Sequence, residues 1–386
     1  MSHEFNNNNL KFRTWAEINL KALEHNIKIL RKYLKPGTKF AGVCKANAYG
    51  HGIIQIAKKL QDCEIDMLCV ASIDEGEILR ANGINLPVLC LGYSEAELSE
   101  RILKNNIIQA VGNFEDGKLF SDYAKNLNLK MKIHVKIDTG MSRLGFYWPE
   151  DENLKLKAAN EIYNLCNLPG IEAEGIFTHF ANADGDLNYT ETQLNKFLEC
   201  KKYLSDLGIN FKISHASASS GYLISQKFHL DMCRFGIALY GYSYPDTGNK
   251  IKNIGLKPVM KVKSKICAVR NLPENSYISY GCTYKLNRNS KIAVLPVGYA
   301  DCFPRSLSNN FHVKIKNKLC PVIGRVCMDM IMTDVTEIDD VKPGDVAVIY
   351  DEDLMMEAVK NSNTIIDEII CRVMPRVHRV YINDEI

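Results

Sequence analysis

Short apolar runs alternate with longer amphipathic segments from about residue 39 to about residue 240. Each run ends in a polar residue or a glycine, a pattern typical of a buried strand that leads through a loop into a helix. The runs predict eight strands, at 39–44, 66–71, 87–92, 107–112, 131–137, 174–178, 211–215 and 231–238. Eight strand and helix repeats favour an α/β fold of the TIM-type (β/α)8 barrel over an open doubly wound sheet.

The segment 187–208 shows the helical part of this pattern, because it ends in a glycine after a run of apolar residues at helical spacing. These residues are Leu194, Phe197, Leu198, Leu204 and Leu207.

The pattern changes after about residue 241, where strand candidates follow one another without long helical segments between them. They lie at 261–269, 277–284, 291–297, 311–315, 319–323 and 345–350, with one helix near 364–373. Turn sequences such as VKPGD at 341–345 favour a mostly antiparallel β domain. We therefore predict a barrel over 12–240 and a β domain over 241–386, with residues 1–11 as a candidate addition to the β domain.

Composition and charge narrow the class of protein. The 386 residues are 46% hydrophobic and 24% charged, which is enough for two globular domains. A net charge of +3 with interleaved signs forms no basic stripe, so we expect a small-molecule partner and no nucleic acid. No apolar stretch approaches the length of a membrane span, and the N-terminus lacks an apolar signal region. We expect a cytoplasmic protein with no membrane partner.

Cysteine and histidine spacing argues against a structural metal or a disulfide framework. Thirteen cysteines are scattered without a C-x-x-C pair, and nine histidines are scattered without ligand spacing. Reduced thiols and the absence of a catalytic metal are predicted.

Lys45 is the first candidate for chemistry, because it follows the first predicted strand and precedes the polar segment NAYGHG. Barrel enzymes carry their catalytic groups at the carboxyl ends of the strands. A lysine there can form an imine with a carbonyl compound. Taken alone, an ordinary surface lysine is the more common interpretation of such a residue.

Seven segments along the chain form an ordered set of motifs: VCKANAYGHG (43–52), VKIDTGMSRLGF (135–146), IFTHFANAD (176–184), MCRFGIALYG (232–241), ISYGCTY (278–284), VLPVGYADCFPR (294–305) and GRVCMDM (324–330). In sequence and in order, these segments resemble the alanine racemase family, whose cofactor is pyridoxal 5'-phosphate. The resemblance covers residues 15–381, and the family's barrel plus β domain agrees with the pattern above.

The resemblance implies a catalytic set. Lys45 would hold the cofactor as an aldimine and act as one acid/base group, and Tyr280 would be the other. Arg234 would face the pyridine nitrogen, where its permanent charge disfavours a ring proton. His179 would link Arg234 to the catalytic tyrosine. Without the resemblance, packed core residues are the ordinary interpretation of a lone histidine or tyrosine.

The resemblance also implies three binding regions. The phosphate would be held by Tyr49, Ser219, Gly236 and Ile237. The substrate carboxylate would be held by Arg143, Met328 and Asp329, with Lys136 bracing Arg143. A narrow entrance would be formed by Tyr299, Asp184, Arg305 and Arg325. Two departures, Ala218 in place of a common asparagine and Pro375 in place of a tyrosine found in some relatives, predict weaker phosphate affinity.

The implied enzyme is a homodimeric isomerase that interconverts L-alanine and D-alanine by a two-base mechanism and supplies D-alanine for peptidoglycan. A racemase of broader specificity, or one for serine, has the same constellation. A barrel-plus-β decarboxylase would release carbon dioxide, and a cofactor-handling protein would bind the cofactor without turnover.

Overall fold

The computed structural model describes residues 11–243 and 254–384. Its strands are β1 Thr14–Asn19, β2 Lys39–Val43, β3 Met67–Val70, β4 Val88–Cys90, β5 Ile107–Val111, β6 Met131–Asp138, β7 Phe146–Tyr147, β8 Ile171–Phe177, β9 Ile213–His215, β10 Met232–Phe235, β11 Met260–Lys265, β12 Ala268–Leu272, β13 Tyr277–Ile278, β14 Tyr284–Lys285, β15 Ser290–Leu295, β16 His312–Ile315, β17 Lys318–Pro321, β18 Ile331–Asp334, β19 Val346–Tyr350 and β20 His378–Ile382. The right-handed α-helices are Leu20–Tyr33, Ile53–Asp62, Ile73–Ala81, Ser99–Lys104, Phe114–Asn126, Glu152–Cys166, Leu187–Asp206, Ser219–Ile224, Glu352–Ser362 and Ile366–Cys371.

Two compact units can be separated in the chain. Among the described residues, one unit consists of Glu24–Ala48, 53–243 and 254–256. The other consists of 11–23, Tyr49–Gly52 and 257–384. The first is called the barrel unit below, and the second the β unit.

Eight parallel strands close the barrel unit, in the order β5, β4, β3, β2, β10, β9, β8 and β6, with β5 paired to β6. All eight predicted barrel strands are therefore confirmed. The strands are short and mostly buried, as expected for parallel strands that are covered by helices. This arrangement collects the residues that follow the strands at one end of the barrel, where barrel enzymes place their active sites.

Side-chain caps fix where several barrel helices begin. Ser72, Asn113, Asp151 and Asp186 each accept a hydrogen bond from a backbone amide in the first turn of the following helix. Such caps satisfy amides that have no partner within the helix and stabilise it by about 1 kcal/mol each. The capping residues in the sequence thus determine where these helices begin.

The β unit contains a six-stranded sheet in the order β17, β16, β19, β11, β1 and β20. Its core includes Trp15, Val262, Ile349 and Tyr350, which are fully buried. Pairings in this unit are antiparallel, except that β1 runs parallel to β20 among the described residues. The predicted β-rich domain is confirmed.

The N-terminal strand differs from the predicted domain ranges. β1 pairs with β11 and β20 in the β unit, although it lies within the range 12–240 predicted for the barrel. The local sequence of β1 does not specify which sheet it joins, because a strand with alternating apolar residues can pair with many other strands. Its partners β11 and β20 are distant in sequence. Of the segment 1–11 suggested for the β domain, residues 1–10 lie outside the described residues.

Candidate active site

Lys45 lies two residues after the end of β2 and begins a helical turn of left-handed geometry. Ala46, Asn47 and Ala48 have φ of 53°, 55° and 53°. L-residues avoid this conformation, at a cost of roughly 1–2 kcal/mol per residue. The Ala48 amide donates to the Cys44 carbonyl at 2.7 Å, and the Asn47 side-chain oxygen accepts from the Ile53 amide at 2.9 Å. The turn thus leaves the lysine side chain exposed at the carboxyl end of the strand.

Arg234, in β10, is buried at the same end of the barrel. Its Nη1 donates to His215 Nδ1 at 2.5 Å, and its Nη2 donates to His179 Nδ1 at 2.9 Å and to the Ala216 carbonyl at 2.8 Å. Its Nε–H donates to no residue that the structure describes. Burial lowers the pKa of Arg234 to about 10, so the guanidinium is charged at neutral pH. It is a fixed cation whose Nε–H and second Nη1–H have no partner among the described residues.

The histidines around Arg234 are neutral. Burial, and then the Arg234 charge, lower the pKa of His215 well below its ordinary value. Because His215 Nδ1 accepts from Arg234, the proton of the neutral ring is on Nε2, which lies 2.9 Å from His134 Nδ1. Burial lowers the pKa of His134 to about 3, and its remaining ring nitrogen has no partner among the described residues. The chain of rings holds Arg234 without neutralising it.

Close packing leaves no room for a side chain beside these rings. A Cβ at Gly175, in β8, would lie 2.6 Å from the His134 ring. Glycine is therefore required where β8 passes this histidine.

Lys136 and Arg143 lie on β6 and the loop after it. The Asp138 carboxylate accepts hydrogen bonds from the amides of Gly140, Met141 and Ser142 at 2.9–3.0 Å, which fixes the loop that carries Arg143. Burial, followed by the charges of Arg143 and Arg234, lowers the pKa of Lys136 to about 8. Arg143 itself is exposed, with its side chain free to meet a ligand.

Three of the predicted phosphate donors, Ser219, Gly236 and Ile237, lie in the barrel unit. The Ser219 hydroxyl accepts from the amide of Gly236 at 3.3 Å and from that of Ala238 at 3.2 Å. The amide of Ile237 donates to none of the residues that the structure describes. Three backbone N–H groups and one hydroxyl thus gather just beyond the end of β10, a donor set suited to a phosphate.

Positive charges converge on His179. Burial lowers the pKa of this histidine well below its ordinary value, and nearby cations lower it further. These cations are, in order of effect, Arg234, Arg143, Lys136 and Lys45. The structure therefore brings together, in the barrel unit, the predicted cofactor lysine, the ring partner and two residues of the carboxylate site, Arg143 and Lys136. Such a cluster favours an anionic ligand.

The remaining predicted residues lie elsewhere in the chain. Tyr280, Met328 and Asp329 line one cavity of about 610 Å³ in the β unit, and Tyr280 is 71% exposed. Asp329 accepts a hydrogen bond from Arg376 at 2.7 Å, and Arg376 also binds the buried Asp301. Lys45 and Tyr280 thus belong to different compact units.

The predicted entrance residues and Tyr49 are divided between the two units. Arg325 lies beside the tyrosine segment, because its guanidinium would be 2.7 Å from a Cβ at Gly281. Tyr299 is exposed after β15, and Arg305 begins a 3-10 helix. Tyr49 belongs to the β unit, whereas Asp184 follows β8 in the barrel unit.

Sequence reasoning did not identify His134 and His215 as partners in this site. His215 is the last residue of the predicted strand 211–215, so its position at a strand end is a signal that could have found it. His134 lies within β6 and carries no such signal, because a buried histidine in a strand is usually a packed residue.

Comparison with known proteins gives consistent matches over both units. Residues 18–244 match the N-terminal domain model of alanine racemase, and residues 259–381 match the C-terminal domain model. The alanine racemase of Clostridium perfringens (strain SM101 / Type A) is 42% identical over 373 residues, which cover 95% of each chain.

Solved structures agree with the sequence matches. The alanine racemase of Clostridium difficile 630 superimposes with a TM-score of 0.92 at 39% identity and covers 97% of this chain and 96% of its own. That of Bartonella henselae, which contains covalently bound pyridoxal phosphate, has a TM-score of 0.84 at 27% identity, with 96% of this chain and 100% of its own covered. The fold, the order of motifs and these matches agree: the chain belongs to the alanine racemase family of isomerases.

Proposed function

We propose that this protein interconverts L-alanine and D-alanine with pyridoxal 5'-phosphate held at Lys45. The observation that carries the proposal is the buried, charged Arg234, whose Nε–H has no described partner and which lies at the barrel end that also bears Lys45. A ring nitrogen is a suitable acceptor for that donor. An arginine there would keep the nitrogen unprotonated, because the guanidinium does not give up its proton at neutral pH.

The donor set fits the cofactor at its other end as well. Ser219, Gly236 and Ile237 present a hydroxyl and backbone amides, with Tyr49 as the further predicted phosphate ligand. The amide of Ile237, which lacks a described partner, would be satisfied by a phosphate oxygen. Bound pyridoxal phosphate would supply the electron sink that makes the α-proton of an amino acid acidic.

Inversion requires two proton-transfer groups on opposite faces of the substrate carbon. Lys45 Nζ would hold or deliver the proton on one face, and Tyr280 Oη on the other. A single group tends to return the proton to the face from which it was taken. His179, bonded to Arg234 at 2.9 Å, would connect this arginine to the tyrosine.

The substrate carboxylate would be bound by Arg143, with the Met328 amide and Asp329 completing the site. Lys136 would brace Arg143 from inside the barrel. Tyr299, Asp184, Arg305 and Arg325 would form the entrance, and a narrow entrance would select small amino acids.

We propose a homodimer in which Tyr280 completes the site of the partner subunit. The support is the exposed apolar surface around this residue. Tyr277, Met328 and Met330 are 58%, 52% and 44% exposed and line the same cavity. A contiguous apolar surface of this kind is usually covered by another molecule. A second copy is the occupant that would use Tyr280 in catalysis.

The proposed role is supply of D-alanine for peptidoglycan in the cytoplasm. All thirteen cysteines are free thiols, which suits a reducing compartment. In the part of the chain that the structure describes, no helix is both long enough and apolar enough to span a bilayer.

Racemisation of a panel of amino acids by the purified protein tests the proposal. We expect alanine to have the highest kcat/KM and serine to be slower, since the extra hydroxyl of serine must pass the narrow entrance. A higher kcat/KM for serine would favour the serine racemase alternative. Release of carbon dioxide, or cofactor binding without turnover, would contradict racemase function.

A further inference from the structure

The carboxylate of Glu75 joins two loops of the barrel unit. Oε1 accepts a hydrogen bond from the Ala46 amide at 2.6 Å, and Oε2 accepts one from the Ala71 amide at 2.9 Å. Ala46 is the residue after Lys45, and Ala71 is the residue after β3. One side chain therefore connects the ends of two adjacent barrel strands at the point where Lys45 lies.

Helix capping does not account for this geometry. Ser72 and Glu75 have the spacing of a capping box, in which the glutamate returns to the amide of the capping residue. Here Ser72 accepts from the Glu75 amide at 3.3 Å, which is half of such a box. One carboxylate oxygen instead accepts from the amide of Ala71, the residue before the capping serine, and the other accepts from the Ala46 amide in the turn after Lys45.

The hydrogen bond from the Ala46 amide to Glu75 matters because Ala46 lies in the left-handed turn. Left-handed backbone at Ala46–Ala48 is intrinsically unfavourable, so contacts outside the turn must hold it. The Ala46 amide belongs to the peptide group that follows the Lys45 Cα atom. Fixing that peptide group fixes the direction in which the Lys45 side chain leaves the backbone.

We propose that Glu75 is a positioning residue, which holds the Lys45 side chain in the direction needed for cofactor fixation and proton transfer. The proposal rests on the proposed function of Lys45. A carboxylate is required because both of its oxygens accept hydrogen bonds. An amide offers one acceptor oxygen and would present N–H to the second backbone donor.

The test replaces Glu75 by glutamine and measures how fast the cofactor-free protein fixes added pyridoxal phosphate, by borohydride trapping at timed intervals. We expect the trapping rate to fall on the order of tenfold to a hundredfold, because small misplacements of a reacting group have effects of that size. We expect kcat for alanine to fall in parallel and KM to change much less, since the carboxylate site is untouched.

Glu77→Gln is the matched control. Glu77 lies in the same helix, and its carboxylate accepts from Arg101 Nε at 2.8 Å and from Asn105 Nδ2 at 3.1 Å, away from the turn. The control removes the same charge and is expected to keep the wild-type trapping rate. Equal trapping rates in the two variants would overturn the proposal.

A second variant shows whether the trapping rate depends on the length of the Glu75 side chain, on its charge or on the stability of the protein. Glu75→Asp keeps the charge but is too short to span both amides, so we expect only partial recovery of the trapping rate. Full recovery would overturn the bridging role. Should Glu75→Gln not fold, the aspartate variant, compared at equal thermal stability, still decides the question. A wild-type protein that fixes no cofactor at Lys45 would instead refute the proposed function itself.

Discussion

Lys45→Ala should lower kcat/KM for alanine racemisation by at least on the order of 10³-fold. Under the proposed function, the variant would lose both the group that holds the cofactor and one of two proton-transfer groups. Its fold should persist, because the side chain is exposed and no described hydrogen bond depends on it. The measurement is steady-state racemisation in both directions, with thermal unfolding as the check on folding.

Lys39→Ala is the control for this prediction, since Lys39 begins the same strand that Lys45 follows. Its ammonium lies 3.7 Å from Asp66 at the opposite end of the barrel. An exposed ion pair of this kind contributes at most about 1 kcal/mol to stability. Near wild-type activity is expected for Lys39→Ala. A Lys45→Ala protein that folds and retains substantial activity would contradict the catalytic assignment.

Mixing two inactive variants should restore activity if the active site is shared between subunits. Lys45→Ala and Tyr280→Phe homodimers should each be nearly inactive. In a mixed dimer, one site carries both substitutions and the other carries neither. With free subunit exchange half of the dimers are mixed, so recovered activity should approach roughly a quarter of the wild-type value.

Tyr277→Phe is the matched control for the mixing experiment. Tyr277 lines the same cavity as Tyr280 and is 58% exposed, but it has no predicted proton-transfer role. Its homodimer should be active without any mixing. If exchange is demonstrated directly and the Lys45 and Tyr280 variants still gain nothing, Tyr280 does not complete the partner's site.

The barrel could be predicted from the sequence because buried parallel strands appear as short apolar runs. β3, β4 and β5 lie within the predicted segments 66–71, 87–92 and 107–112 and are buried at nearly every position. β8 begins at Ile171, three residues before the predicted segment 174–178. The prediction misses this part because the first half of the strand is only partly buried and contains two glutamates. Where burial weakens, the apolar signal weakens with it.

Helical faces were predicted less accurately. Phe197 and Leu204 are buried in the helix Leu187–Asp206, as expected, but Leu198 and Leu207 are 41% and 43% exposed. Apolar residues also occur on exposed helix surfaces, so spacing alone selects too many. The helix Glu352–Ser362 was not predicted, since its buried residues are few and it follows β19 closely.

The pairing of strands that are distant in sequence could not be predicted from local patterns. β1 lies between β11 and β20 in the sheet, although both partners are more than 200 residues away along the chain. Nothing in the local pattern of residues 14–19 distinguishes a strand of the β unit from one of the barrel.

Some residues of the candidate site could be identified from the sequence, and others only from the folded structure. Lys45 is a candidate from its place after a predicted strand, and the resemblance to family motifs identifies Lys45, Arg234 and Arg143 as site residues. Glu75, His134 and His215 were not, because their roles arise from contacts made in the folded barrel. Contacts of this kind join segments that are separate in the sequence.

The central claim is that Lys45 holds the cofactor, and borohydride reduction of the cofactor-loaded protein followed by peptide mapping tests it most directly. Lys136 is the competing lysine, because it lies in the same unit and burial lowers its pKa to about 8, which makes its amine more reactive near neutral pH. The account predicts that the covalently fixed cofactor is found on the peptide containing Lys45. An adduct on Lys136, or on any other lysine, would contradict it.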